Sequence, residues 1–559
     1  MRRTNSNSLR SLSASTAAVE ENTKMEAFQK LQPRIKTQLP VMPRLYASNN
    51  LKQGRNNWCF VVGVLIILCL FFYLLSVARG VQFSSHRSGG YGIIIDAGST
   101  GSRIYVFEYV NEGTGKLPIV SFSGKGAPSL KTKPGLSSFA SRPERAGDSI
   151  LELLNFAKQK VPENYRSGTK IHLMATAGLR RLKEETQERI LESCRRVLRF
   201  SGFGFQDNWA SVITGADEGI FAWVAANYAL GTLGGNPHKT TGIIELGGAS
   251  FQVTFVPEKS PDPEDLHILT LGGVTYDLYS QSFLHFGQEA AWEGVLQMLV
   301  LGALNSFEKG VVVDPCTPTG YAMGSEELLQ LPAGSVITDN GKLSAVHSRG
   351  NFSECRNAAL GLLSQGQDDT EECKYLWKHC KTGKKRIPEL HGNFFATENF
   401  VYTSQFFGLV PRASLSDIEK AGEQYCGEDW AVLQQKHHDV DKEDLLKYCF
   451  SSAYIVALLN DSLGIFMNDE RVRFTNQVGN VPIDWALGAF ILHTIEDLSS
   501  AQPSWILGED SFTFFSLFAI LVLLGLAAWS LSRWRKPNVK TIYDLEKGRY
   551  ITTAARVYR

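Results

Sequence analysis

Two short segments of this 559-residue chain carry an acid followed by small, hydrogen-bonding residues. Asp96 precedes Gly98, Ser99, Thr100, Gly101, Ser102 and Arg103, and Glu245 precedes Gly247, Gly248, Ala249, Ser250 and Gln252. Glycine and small hydroxyl residues let backbone N–H groups close on an anion and cradle phosphate oxygens. Arg103 adds a charged donor to the first loop. A carboxylate repels phosphate, but it can hold a hydrated Mg2+ or Ca2+ that bridges phosphate oxygens; Asp96 and Glu245 suit that task. Between the two segments, Asp217 and Glu218 stand side by side at a predicted loop-to-helix start. Such a pair is commonly a capping or dipole device. Transfer of a phosphoryl group to water also needs a base, however, and Glu218 is the candidate. The stretch Gly113-Thr-Gly-Lys116 lacks the upstream glycine of a Walker loop and is followed by leucine, which excludes P-loop chemistry.

The two acid-glycine segments are copies of one pattern. Residues 94–104 align without gaps on residues 243–253, at an offset of 149 positions. Each copy reads as an apolar β-branched strand ending in an acid, a glycine loop, and a second strand. One such hairpin per half predicts a duplicated fold whose loops face each other across a cleft. Around them the periodicity predicts strands over 91–96, 104–109 and 171–175 and amphipathic helices over 142–160 and 183–200. That alternation is α/β.

The charge balance is ordinary, with 57 Lys and Arg against 56 Asp and Glu, so no basic excess points to nucleic acid. Two stretches, 58–78 and 512–532, are uniformly apolar and about the 20 residues a bilayer span requires. The 57 residues before the first hold ten Lys and Arg against three acids, and the 27 after the second hold eight against two. The positive-inside rule then places both termini in the cytosol and the intervening chain in a lumen or outside the cell. Residues 1–57 read as a disordered tail and 533–559 as a second cytosolic tail. Between the spans lie seven cysteines, six of them in the later part of the chain, as disulfides in an oxidising compartment would be. Their intervals suggest Cys316–Cys355, Cys373–Cys380 and Cys426–Cys449, among 15 connectivities open to six cysteines; Cys194 is the odd one. Asn351 and Asn460 head glycosylation sequons.

Five motifs together resemble the apyrase signature regions, in the family's order: Asp96-Ala-Gly-Ser-Thr-Gly-Ser-Arg103, Ala175-Thr-Ala-Gly-Leu-Arg180, Gly215-Ala-Asp-Glu-Gly219, Glu245-Leu-Gly-Gly-Ala-Ser250-Phe-Gln252 and Asp484-Trp-Ala-Leu-Gly488. The resemblance spans about residues 90–495. The layout with two anchors is similar to membrane-bound nucleoside triphosphate diphosphohydrolases. It implies the two-lobed, ribonuclease H-like fold shared with actin and sugar kinases, with lobe I over 90–214, lobe II over 215–480 and a return to lobe I over 481–506. It implies hydrolysis of nucleoside tri- or diphosphates with Ca2+ or Mg2+. Glu218 would be the general base, and Ser250 and Gln252 would orient the water. Asp96, Glu245 and Trp485 would shape a hydrated metal site, and the residues from Gly98 to Arg103 and Gly247 to Ser250 would hold the phosphates, with Thr176 facing the same cleft. Tyr402 would stack on the base, unless it is a core aromatic among Phe394, Phe395, Phe400, Phe406 and Phe407. Two positions depart from the pattern: Glu245 stands where the motif usually has Asp, and Phe251 where many members have Thr. The compartment implied is Golgi or another endomembrane in preference to the plasma membrane. The alternatives are a non-catalytic nucleotide-binding membrane protein and a phosphotransferase on the same fold.

Overall fold

The computed structural model describes residues 88–112, 116–122, 126–305, 311–323, 345–364, 387–500 and 539–554, with isolated positions at 522, 525, 526 and 529. All belong to the compact unit Gly80–Arg559. The tail over 1–57, the span over 58–78 and the pair Cys373–Cys380 lie outside the described residues, as does nearly all of 512–532. Among the described residues no helix is long and apolar enough to cross a membrane.

Two six-stranded sheets repeat one plan. In the first, β1 (Ser88–Ala97) pairs antiparallel with β2 (Ser102–Asn111), and β3 (Ile119–Ser121) and β4 (Ser129–Thr132) flank β2. On its other side β1 runs parallel to β5 (Lys170–Ala175), and β5 to β6 (Ala210–Val212). In the second sheet, β7 (Gly242–Leu246) forms the hairpin with β8 (Ser250–Phe255), and β9 (Leu266–Leu271) and β10 (Val274–Leu284) extend it beyond β8. A small three-stranded sheet of β11 (Val311–Asp314), β12 (Ala322–Met323) and β13 (Ala345–Ser348) follows in the chain. The far side of β7 then takes β14 (Phe394–Glu398) and β15 (Val472–Phe474), both parallel. The orders β3-β2-β1-β5-β6 and β10-β8-β7-β14-β15 therefore correspond strand for strand. The register corresponds as well: Asp96 faces Arg103 across the first hairpin, and Glu245 faces Gln252 across the second. The chain adopts a two-lobed α/β fold of the actin-like type.

Helices cover the sheets. Helix α1 (Leu151–Lys160) and helix α3 (Glu184–Arg199) close the outer face of lobe I, with α2 (Ala177–Arg180) a single turn between β5 and α3. The helix expected over 142–160 is interrupted at Ile150, because the turn before it presses against α3, where Gly147 N–H bonds Ser193 Oγ at 3.0 Å. Helix α4 (Gly215–Leu230) leads from β6 towards β7. In lobe II, α5 (Gln288–Asn305), α6 (Phe352–Ser364), α7 (Asn399–Phe406), α8 (Leu415–Cys426) and α9 (Lys442–Val456) form a second layer. Helix α10 (Trp485–Ser500) returns to pack on α4. The α4–α10 pair joins the two sheets through one core that holds Ile94 and Phe107 of lobe I with Ile243 and Tyr276 of lobe II. Where the helices touch, Gly488 lies so close to α4 that an added Cβ would meet the Phe221 carbonyl oxygen at 1.8 Å.

Disulfides Cys316–Cys355 and Cys426–Cys449 are formed, and Cys194 is a buried free thiol whose pKa burial pushes up to about 12. Asn351 is placed to cap α6, its Oδ1 accepting from Glu354 N–H at 3.0 Å. Its Nδ2 donates to Glu354 Oε1 at 3.3 Å. Asn460 is likewise engaged: its amide donates to Ile465 O at 2.9 Å and its Oδ1 accepts from Arg356 at 3.2 Å.

Gly488→Ala should force α4 and α10 apart and destabilise the fold by about 3 kcal/mol, the upper end of overpacking costs. A lowered midpoint in thermal denaturation followed by circular dichroism would show it; an unchanged midpoint would mean the helices are not in contact there.

Candidate active site

Each acid of the site stands at the end of a regular element, where backbone geometry leaves little choice of direction. Asp96 and Glu245 occupy corresponding places in β1 and β7, and the hairpin turns follow them at once. The two turns meet: a Cβ on Gly248 would lie 2.5 Å from Ser99 Oγ and 3.2 Å from Thr100 Cγ2. Behind the first turn, a Cβ on Gly178 would lie 2.7 Å from Ser99 Cα, so α2 is packed directly against it. Only glycine permits either approach.

Thr214 begins α4 with a capping box, its side chain accepting from Asp217 N–H while Asp217 accepts from Thr214 N–H. The neighbouring acids thus divide the two readings of the pair. Asp217 caps the helix, and Glu218, 7% exposed, turns into the cleft. Asp484 opens α10 in the same manner, Ala486 N–H donating to its Oδ1 at 2.9 Å, while the Tyr105 hydroxyl holds its Oδ2.

These elements line a cleft of about 100 Å3. Gly98, Ser99, Thr100, Gly101 and Arg103 line one wall and Gly247, Gly248, Ala249 and Ser250 the other, with Asp96, Thr176, Glu218, Glu245, Tyr402 and Trp485 between them. Ser102 is not among them. It is 1% exposed, and strand alternation turns it to the face opposite Arg103. Gln252 sits just behind the wall, donating to Ser250 Oγ at 2.7 Å. Phe251, between these two, is fully buried in the lobe II core against Phe283 and Phe400. Tyr402 is 41% exposed and projects into the cleft, while Phe400, two residues earlier on the opposite side of α7, is buried, so Tyr402 is not a core aromatic. A larger depression, about 420 Å3 on the outside of lobe I between α1 and α3, carries no comparable grouping.

Four residues of the site stand outside the set assigned from sequence: Arg180, Lys131, Glu398 and Asp484. Arg180 is the most consequential. One of its guanidinium nitrogens donates to Glu218 at 2.7 Å and approaches Ser250 Oγ at 3.3 Å; the other donates to Ile213 O at 3.0 Å. It ends the second conserved-looking motif, which was its one signal. Lys131 and Glu398 lie outside every motif; the fold alone delivers them.

The electrostatics are dominated by crowding. Loss of hydration raises the pKa of Glu218, and Arg180, then a hydrogen bond from Gln252, opposes the rise. Loss of hydration also raises Asp96 and Glu245 well above the usual carboxylate range, and their acidic neighbours push the same way: Asp484 and Glu218 for Asp96, Glu218 and Glu398 for Glu245. Asp96 Oδ1, Glu245 Oε2 and Gln252 Oε1 are buried without hydrogen-bond partners. Among the described residues no three His, Cys, Asp or Glu side chains converge closely enough to ligate an ion directly. Orphaned acceptors set back from one another are the donor set of a cation held through its waters. The residues therefore fit a divalent cation in hydrated form.

Residues 82–502 match the model of the GDA1/CD39 (nucleoside phosphatase) family. The chain is 46% identical over 523 residues to "Probable apyrase 6" of Arabidopsis thaliana, covering 91% of this chain and 92% of that one. It is 31% identical to the nucleoside-triphosphatase of Pisum sativum, over 74% and 90% of the two chains. The crystal structure of nucleoside triphosphate hydrolases from Neospora caninum shares the fold, with a TM-score of 0.54 at 16% identity, covering 78% of this chain and 98% of that one. Fold and cleft are those of a nucleotide phosphohydrolase. The chain belongs to the GDA1/CD39 family.

Because Arg180 holds the pKa of Glu218 down against desolvation, Arg180→Gln should raise it. A base works only when deprotonated, so the acidic limb of the kcat/KM profile should move to higher pH on loss of the adjacent opposite charge. A limb that stays in place would separate Glu218 from the rate-limiting proton transfer.

Proposed function

We propose that the cleft hydrolyses the phosphoanhydride bonds of nucleoside tri- or diphosphates by attack of a water that Glu218 deprotonates. The chain is an enzyme of the apyrase type, and the observation that supports this division of roles is the network Glu218–Arg180–Ser250–Gln252 beside two opposed glycine loops. Ser250 and Gln252 orient the water, with Arg180 fixing both the base and Ser250. Backbone N–H groups of the two loops, with Arg103 and Lys131, hold the polyphosphate, and Thr176 borders it. Asp96, Glu245 and Trp485 hold the waters of a divalent cation, Ca2+ or Mg2+, which when bound neutralises charge on the phosphates. Glu245, one methylene longer than the usual Asp, places its carboxylate nearer the cation's waters. Tyr402, open to the cleft, stacks on the base.

The lobes divide as 90–214 and 215–480, with 481–506 returning to lobe I; Phe490 of α10 stacked on Phe107 of β2, centroids 4.7 Å apart, supports the return. The apolar stretches over 58–78 and 512–532 and their basic flanks support two membrane spans, cytosolic termini and a catalytic region in the lumen of the Golgi or a related compartment. The two formed disulfides suit that side of the membrane, and so do the glycosylation sequons at Asn351 and Asn460.

Glu218→Gln should lower kcat by about 10^2–10^4-fold, the usual worth of a general base, while leaving nucleotide binding intact. Phosphate release from a panel of nucleoside tri- and diphosphates by the purified full-length chain would read this; EDTA should stop release, and Ca2+ or Mg2+ should restore it. Undiminished turnover by the variant would remove Glu218 from the role. Transfer of phosphate to a second substrate would favour a phosphotransferase.

A further inference from the structure

Glu398 has no part in the scheme above, yet the chain departs from ordinary backbone geometry to place it. It closes β14 and precedes α7 with φ 62° and ψ −120°, a region that suits glycine. Among the described residues only His285 shares a positive φ without being glycine. Such strain persists where the surroundings over-determine it, and they do here. Asn476 Oδ1 accepts from Glu398 N–H at 2.7 Å, the next residue, Asn399, donates from its side chain to Leu246 O at 2.8 Å, and Thr475 N–H donates to Ala396 O at 3.1 Å. The side chain makes no capping bond to α7, so helix capping does not explain the acid.

The conformation delivers a carboxylate to the same edge of the sheet as Glu245. β7 and β14 are parallel neighbours, with Thr397 opposite Glu245 and Glu398 opposite Leu246. Glu398 lines the cleft with Asp96 and Asp484, and the Tyr402 hydroxyl bonds to it. Its nearest opposite charges are Arg103 and Lys131. The acids alone would not define a site. Glu245 Oε2, in a side chain 95% buried, and Asp96 Oδ1 supply the second observation, since both are acceptors left without a donor inside the protein.

We propose that Glu398 is a third carboxylate of the hydrated-cation site, accepting from cation-bound water beside Asp96 and Glu245. This rests on the reading of the cleft as a cation-dependent phosphohydrolase site. Each of the three acids ends a central strand, so backbone geometry fixes all three relative to one another. The site therefore binds a divalent cation before nucleotide arrives, and the strained backbone is retained for that purpose.

Mn2+ alone, titrated by electron paramagnetic resonance into the full chain without nucleotide, tests this. Glu398→Gln should weaken binding about 10- to 100-fold, the usual effect of removing an outer-shell partner. Glu398→Gly should weaken it equally while raising the thermal midpoint in EDTA, because glycine relieves the positive φ. Asp96→Asn is the control. Mn2+ bound as tightly by Glu398→Gln as by the parent, with Asp96→Asn weakened, would overturn the assignment of Glu398 alone. Unchanged binding in all three variants would overturn the cation site itself. A lowered midpoint for Glu398→Gly would overturn the account of the strain.

Discussion

Carboxylates gathered in a shielded cleft repel one another and lose hydration, and among the described residues nothing else is arranged so much against electrostatics. Asp96, Glu218, Glu245, Glu398 and Asp484 share one cleft, facing Arg103, Lys131 and Arg180. Burial and mutual repulsion raise the pKa of Asp96 and Glu245 well above the usual carboxylate range. A divalent cation reverses that shift. It lets the acids stay ionised, and it turns a site that would expel a polyphosphate into one that holds it. The orphaned oxygens of Asp96 and Glu245 express the same constraint in hydrogen bonds: each waits for a donor that the polypeptide does not supply.

The fold meets this constraint by duplication. One hairpin with an acid at its bend would bind a cation from one side only. Two sheets of matching order, bridged by α4 and α10, bring two such bends together, and those same helices begin with Glu218 and Asp484. The proposed base, cation shell and phosphate loops are thus all fixed at element ends. That arrangement gives precision while leaving Asp96 Oδ1 and Glu245 Oε2 without internal bonds.

Much of this was legible in the residues. The gapless register between 94–104 and 243–253 foretold matching hairpins, and both pairings, Asp96 with Arg103 and Glu245 with Gln252, span seven positions in the structure. Period-two patterning turned Phe251 to the core between Ser250 and Gln252. It also misled, because counting Ser102 within the first loop ignored the same alternation. Arg180 ends the second motif, but a helical arginine reads as surface until its partner is known. Glu398 could not have been found. Its role comes from strand pairing across about 150 residues of sequence and from a backbone angle that no local pattern encodes.

Anomalous diffraction from crystals grown with Mn2+ and a non-hydrolysable nucleotide would test the central claim most directly. A single peak should lie between the loop from Gly98 to Arg103 and the loop from Gly247 to Ser250. It should sit about 4 Å from the Asp96 and Glu245 carboxylates, with one water in each gap. A peak bonded directly to side chains elsewhere, or nucleotide bound in this cleft with no cation beside it, would contradict the account.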